Sequence, residues 1–305
     1  MTGTTNFFDV IIIGGGPAGM SAVLWSCDLG LTALVLEKES EFGGQLLRIH
    51  DPVKNYLGID ARNGAELCNE FRNSIERLEF SSVFNANITS VDLRSKTVRL
   101  DEGTEFSANA IVIATGVRRR KLGIEGEKEF RGKGILESGA KERKNVEDKR
   151  VVIVGGGDAA LENALMLSEY AAAVTVVHRR AEFTARPDFL DRAMSTANIE
   201  ILTDTIVHRI VGKNVVEAVE LASVISSRTE LRPADNILIR IGVQPNTGLF
   251  SGQINLNTAG YITVNNSCET SIDGVFAAGD VANPIAPTIS TAAGTGAAAV
   301  KNIRT

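Results

Sequence analysis

Three glycines, Gly14, Gly16 and Gly19, stand between an apolar run, Val10-Ile11-Ile12-Ile13, and an apolar helical stretch. A G-x-G-x-x-G spacing after a strand and before a helix suits a diphosphate. The first glycine makes the turn, the second admits the ligand close to backbone, and the third lets the helix pack tightly. Pro17 and Ala18 open that helix, whose free N–H groups and partial positive charge face an anion. Glu37 ends the next strand, where a carboxylate accepts from the hydroxyls of an adenosine ribose.

A second set repeats the pattern: Gly155, Gly157 and Ala160, with Asp158 and Ala159 at the start of a helix. After its second strand comes His178-Arg179-Arg180 instead of a carboxylate. An acid there would repel a ribose 2′-phosphate, whereas two guanidinium groups bind it by charge-assisted, bidentate hydrogen bonds. The alternative is a solvated basic loop. A third feature is Gly279-Asp280, after the apolar segment 274–278. A carboxylate there can accept from the ribityl hydroxyls of a flavin. A small-residue helix starting near Pro287 and Thr288 would stabilise negative charge on a reduced flavin through its dipole. An apolar strand followed by Gly-Asp is common, so that spacing alone assigns no ligand.

These residues need two scaffolds. Each glycine set lies in a strand–turn–helix–strand unit, and right-handed crossover makes the strands of each unit parallel. The expected fold is α/β, with two Rossmann-like dinucleotide-binding domains. A domain at 118–244 is inserted into one made of 1–117 and 245–305. Alternating segments at 88–100 and 215–231 predict a small antiparallel meander attached to each.

The 305 residues suffice for two such domains. With 32 Lys and Arg against 37 Asp and Glu, the net charge is −5, which gives no sign of a nucleic-acid binder. No stretch is apolar enough to span a membrane, and the apolar start runs straight into glycines, unlike a signal peptide. Three cysteines, Cys27, Cys68 and Cys268, are far apart and odd in number, which predicts a reducing, cytoplasmic setting. His50 and His208 are isolated and predict no metal site.

Over essentially its whole length the chain resembles the low-molecular-weight thioredoxin reductases and their thioredoxin-reductase-like relatives. The segments that carry the resemblance are Gly14 to Gly19, Gly43-Gly44-Gln45-Leu46, Asn55-Tyr56, Ala114-Thr115-Gly116, Gly155-Gly156-Gly157-Asp158, His178-Arg179-Arg180, Pro245-Asn246-Thr247 and Gly274 to Val281. The resemblance implies FAD in the first domain, with Gly43, Gln45 and Asn55 near its ring and Asp280 on its ribityl chain. With the arginine pair it implies NADPH in the inserted domain, with a different dinucleotide, even a second FAD, as the alternative. It also implies a homodimer.

Three departures stand out. The positions of the family's Cys-x-x-Cys fall on Ser138 and Lys141, and its neighbouring acid falls on Glu142. Thr184 replaces the arginine that follows His-Arg-Arg, with Arg186 close by, and Pro287-Thr288 replaces an Arg-Gln pair. The expected function is therefore electron transfer from NADPH through FAD directly to an acceptor, with no disulfide relay and no assigned catalytic residue.

Rival readings are a disulfide reductase with an atypical cysteine arrangement or a different electron donor, a ferredoxin- or flavodoxin–NADP reductase-like enzyme, and a non-catalytic flavin or nucleotide sensor. Such ferredoxin reductases usually carry a C-terminal extension, whereas this sequence stops soon after its last helix. Arg118-Arg119-Arg120-Lys121 is read as a solvated face, or more sharply as a docking patch for a small acidic redox protein.

Overall fold

The computed structural model describes residues 6–101, 103–226 and 228–303; the outermost ends of the expected domains lie outside them. The chain divides into two compact units, Met1–Arg118 with Gln244–Thr305, and Arg119–Val243.

In the first unit, β1 (Phe7–Ile13), α1 (Pro17–Asp28) and β2 (Ala33–Leu36) form one parallel crossover, with Val10 opposite Ala33 and Ile13 opposite Leu36. Residues 10–13 are buried because β1 is an inner strand covered on both faces, which explains a continuous apolar run instead of an alternating one. After α2 (Gly64–Ile75), β3 (Ser81–Val83) extends the sheet beyond β2. Then β4 (Ile88–Asp92), β5 (Thr97–Leu100) and β6 (Glu105–Ile113) run antiparallel in sequence, and β6 carries on to pair parallel with β1. The predicted first meander is thus part of the main sheet, because β6 is long enough to serve both pairings. The crossing segment β7 (Val117–Arg119) follows.

In the second unit come β8 (Ile135–Leu136), α3 (Gly139–Glu142), β9 (Arg150–Val154), α4 (Asp158–Ser168), β10 (Ala173–Val177), α5 (Pro187–Ser195) and β11 (Ile199–Leu202). A separate antiparallel sheet is made of β12 (Thr205–Gly212), β13 (Val216–Ser223) and β14 (Thr229–Pro233). It begins about ten residues earlier than the alternation at 215–231 implied, since register shifts at Val207/Arg209 and Val211/Gly212 break the pattern in β12. The strand β15 (Asn236–Ile239) completes a parallel sheet ordered β11-β10-β9-β15-β8.

The chain returns through β16 (Val243–Pro245), which pairs with β7, to β17 (Val275–Ala277) and α6 (Ile289–Lys301). β17 pairs with β6 through Val275–Ile111 to Ala277–Ile113, giving a seven-stranded sheet ordered β3-β2-β1-β6-β5-β4 with β17 also on β6.

Both sheets have the same switch. β1 has β2 on one side and β6 on the other, as β9 has β10 and β15. In open parallel sheets that reversal leaves a crevice at the strand ends, where ligands bind. Both glycine turns lie there.

Candidate functional site

The first glycine turn is shaped by close backbone approaches. Gly14 has φ of +110°, and a Cβ on it would lie 2.5 Å from the carbonyl oxygen of Ala114. A side chain on Gly19 would collide with the Gly14 carbonyl. Gly44, at φ +53°, would bring a Cβ within 3.1 Å of the Gly16 Cα, and the Gly43 N–H donates to the Gly15 carbonyl at 2.9 Å. The turn, the 114–116 segment and the 43–45 loop therefore form one backbone-lined cradle that side chains would fill.

Glu37 is buried beside it. One carboxylate oxygen accepts from Gly15 N–H at 2.5 Å and the other from Glu39 N–H at 2.8 Å. A carboxylate has about four acceptor positions, so capacity remains for ribose hydroxyls. Gln45 donates from Nε2 to the Val117 carbonyl at 2.7 Å, Leu46 is buried, and Asn55 is exposed on the loop between Val53 and Ala61. Thr115 Oγ1 donates to the Asn246 carbonyl at 2.9 Å, while Asn246 Nδ2 donates to the Thr115 carbonyl at 2.8 Å. Gly116 sits at φ +61°, and its carbonyl accepts from Asn246 N–H at 3.0 Å.

The last helix closes the cradle. Thr288 caps α6 in a capping box with Thr291, each side chain accepting from the other's backbone N–H at 3.1 Å. Ala18 and Gly296 meet where α1 crosses α6, for a side chain on Gly296 would strike the Ala18 carbonyl. Thr295 Oγ1 accepts from Gly279 N–H at 2.9 Å, tying α6 to Gly279-Asp280. Asp280 is partly buried, its carboxylate makes no hydrogen bond or ion pair among the described residues, and burial raises its pKa above the ordinary aspartate value. An acceptor left without donors at the rim of a backbone cradle fits a hydroxyl-bearing ligand such as a ribityl chain.

In the second unit, Gly155 at φ +152° leaves no room for a side chain beside the Arg240 carbonyl. A Cβ on Gly156 would enter the imidazole of His178. That ring is buried, lies 4.8 Å from the Phe183 ring and has Nε2 at 3.0 Å from the Glu182 carbonyl. Thr184 N–H and Ala185 N–H both donate to the Gly156 carbonyl, at 2.8 and 3.2 Å. The loop after β10 thus folds onto the glycine turn, with His178 packed against the turn itself. Arg179 and Arg180 stand exposed on this loop, and neither makes an ion pair among the described residues. Arg186, near the family's third arginine, donates its N–H and Nε to the Asp158 carboxylate at 2.7 and 3.0 Å. Ala159 is exposed in the first turn of α4.

At Ser138 and Lys141 there is no sulfur. Ser138 caps α3, its hydroxyl accepting from Lys141 N–H at 3.3 Å, and Glu142 Oε2 accepts from the N–H groups of Glu137 and Ser138 at 2.8 Å each. The acid serves backbone. All three cysteines are free and lie in the first unit. Burial raises the pKa of Cys27, Cys68 and Cys268. Sequence reading missed Thr295, Gly296's collision with Ala18, and Arg240; only the small-residue composition of α6 signalled any of them.

Residues 8–296 match the pyridine nucleotide-disulphide oxidoreductase family model, and the chain belongs to that family. It is 35% identical over 301 residues to a thioredoxin reductase of Rickettsia prowazekii, covering 96% of each chain. It is 36% identical to one of Streptomyces clavuligerus, covering 95% of this chain and 91% of that one. Its fold is similar to the crystal structure of Lactococcus lactis thioredoxin reductase, with a TM-score of 0.82, 29% identity and 97% of both chains covered. The protein is an NAD(P)H-dependent flavoprotein oxidoreductase of thioredoxin-reductase-like type, with FAD and NADPH as its cofactors. No helix among the described residues is long and apolar enough to cross a membrane.

Proposed function

We propose that the chain passes electrons from NADPH to its acceptor without a cysteine relay, holding FAD in the first unit and NADPH in the second. When bound, the flavin supplies the centre that accepts hydride from the reduced nicotinamide. The chain's own residues bind and orient. Gly14, Gly16 and Gly19 admit one diphosphate, Glu37 takes its ribose, and Asp280 accepts from the ribityl chain. The capped start of α6 presents unpaired N–H groups of the kind that stabilise negative charge. Gly155 and Gly157 admit the second diphosphate, and Arg179 and Arg180 grip its 2′-phosphate.

The observation that carries this reading is the α3 start, where Ser138 and Lys141 occupy the expected thiol positions. Thiol exchange needs an accessible thiolate with a second thiol in reach. Here the second unit has no cysteine at all, and burial pushes the first unit's thiols above their ordinary pKa.

The test is the variant with Cys27, Cys68 and Cys268 all changed to Ser, refolded with FAD. Its NADPH-dependent reduction of ferricyanide or a quinone should equal that of the unsubstituted protein. Loss of turnover with flavin still bound, or robust reduction of thioredoxin by the unsubstituted protein alone, overturns the reading. We further propose a cytoplasmic homodimer, to be checked by sedimentation.

A further inference from the structure

Arg240 follows directly on β15, within the largely apolar segment 237–241. Its N–H donates to the Val154 carbonyl at 2.7 Å, and its own carbonyl excludes any side chain from Gly155, so its backbone abuts the second glycine turn. The side chain reaches toward the end of β8. Nη1 donates to the Ile239 carbonyl at 2.9 Å and Nη2 to the Glu137 carbonyl at 3.4 Å. Arg119 Nη1 donates to that same Glu137 carbonyl. Two guanidinium groups therefore converge on one neutral acceptor.

Glu142 accepts from two backbone N–H groups, and the Glu137 carboxylate pairs with Arg131 at 3.4 Å. Arg240 makes no ion pair among the described residues and is partly buried. Burial first, and the charge of Arg119 next, pull its guanidinium down to about 10, with Glu142 opposing. A partly desolvated cation beside a like charge, with no carboxylate in ion-pair contact, is costly unless a ligand supplies one.

We propose that Arg240 and Arg119 form a seat for a phosphate or carboxylate group at the C-terminal edge of β15 and β8. Sheet order puts this seat on the β15 side of β9, opposite the β10 side that carries Arg179 and Arg180. A dinucleotide lying across the switch would present its half distal to the adenosine there. The group belongs either to that dinucleotide, which rests on the reading of the second unit given above, or to a separate small oxyanion. Planar guanidinium groups suit both, since each offers paired donors to an oxyanion.

The test is calorimetric titration of the FAD-loaded protein with inorganic pyrophosphate, NADPH and 2′,5′-ADP, in parallel with Arg240→Ala and Arg240→Lys. Removing a charge-assisted contact should weaken pyrophosphate about tenfold or more in Arg240→Ala. Arg240→Lys should recover part of that loss, and 2′,5′-ADP should bind all three proteins alike. Parallel weakening of NADPH assigns the group to the dinucleotide; unchanged NADPH with weakened pyrophosphate assigns it to a separate oxyanion. Pyrophosphate that fails to bind, or binds Arg240→Ala as well as the unsubstituted protein, overturns the seat. If NADPH fails to bind while pyrophosphate still depends on Arg240, the seat stands and the dinucleotide reading of this unit falls.

Discussion

The backbone and side chain of Arg186 both bind the carboxylate of Asp158, fastening the loop after β10 to the first residue of α4. Asp158 thus presents its charge to Arg186, which also lies 4.3 Å over the Phe189 ring. The pair is exposed, and such pairs contribute about 0–1 kcal/mol to stability. Asp158→Ala should therefore leave thermal unfolding almost unchanged. It should instead loosen the loop that carries Arg179 and Arg180, weakening NADPH about fivefold, the equivalent of ~1 kcal/mol. Fluorescence titration of NADPH against a melting curve separates the two effects.

Gly156→Ala tests the packing beneath that loop. The added methyl enters the His178 ring, which must swing out and break its contact with the Glu182 carbonyl. Overpacking of this kind costs about 1–3 kcal/mol. NADPH binding should fall at least tenfold while FAD content is unchanged, because the proposed FAD cradle lies in the other unit. Equal loss of both cofactors would contradict the division of labour.

Arg179→Ala with Arg180→Ala addresses the 2′-phosphate. Each charge-assisted contact to a phosphate is worth about 1.5–3 kcal/mol, so the double variant should lose roughly a hundredfold or more of its preference for NADPH over NADH. The ratio of kcat/KM for the two nucleotides measures this. An unchanged ratio would return the pair to a solvated basic loop.

Asp280 gives a pH-dependent prediction with opposite signs for stability and binding. Burial raises its pKa in the folded chain, so the folded state holds the proton more tightly than the unfolded one. Its ionisation therefore destabilises the flavin-free fold: stability is greatest below the ordinary aspartate range and falls as pH rises through the raised value. Flavin-free Asp280→Asn should unfold at a higher temperature than the unsubstituted flavin-free protein at pH 7. The difference should vanish as pH falls below about 3.9, the ordinary aspartate value. FAD affinity should nevertheless drop about tenfold, as expected for a lost charged acceptor.

The α/β class and both Rossmann-like cores were legible because their signals are backbone demands. Gly14, Gly19 and Gly155 stand where a Cβ would collide with a carbonyl, so sequence must declare them. Long-range pairings declare themselves less. His178 reads as the first member of an exposed-looking His-Arg-Arg loop, yet its ring is buried against Gly156, a contact set by how the loop folds back. Arg240 was hidden for a different reason: flanked by Ile237, Leu238, Ile239 and Ile241, it reads as an interruption in a strand. β15 in fact stops at Ile239 and frees the next side chain to turn along the sheet edge. The early start of β12 was masked by exposed His208 and Arg209 at a bulge.

The clasp between Thr115 and Asn246 joins residues 131 positions apart and brings together the two points where the second unit leaves and rejoins the first. Entry and exit are thereby pinned side by side, as at the neck of a loop. The first unit should consequently tolerate excision of the whole intervening stretch and its replacement by a few flexible residues. What would be left is a self-standing flavin module, onto which nature or an engineer could graft a different electron source.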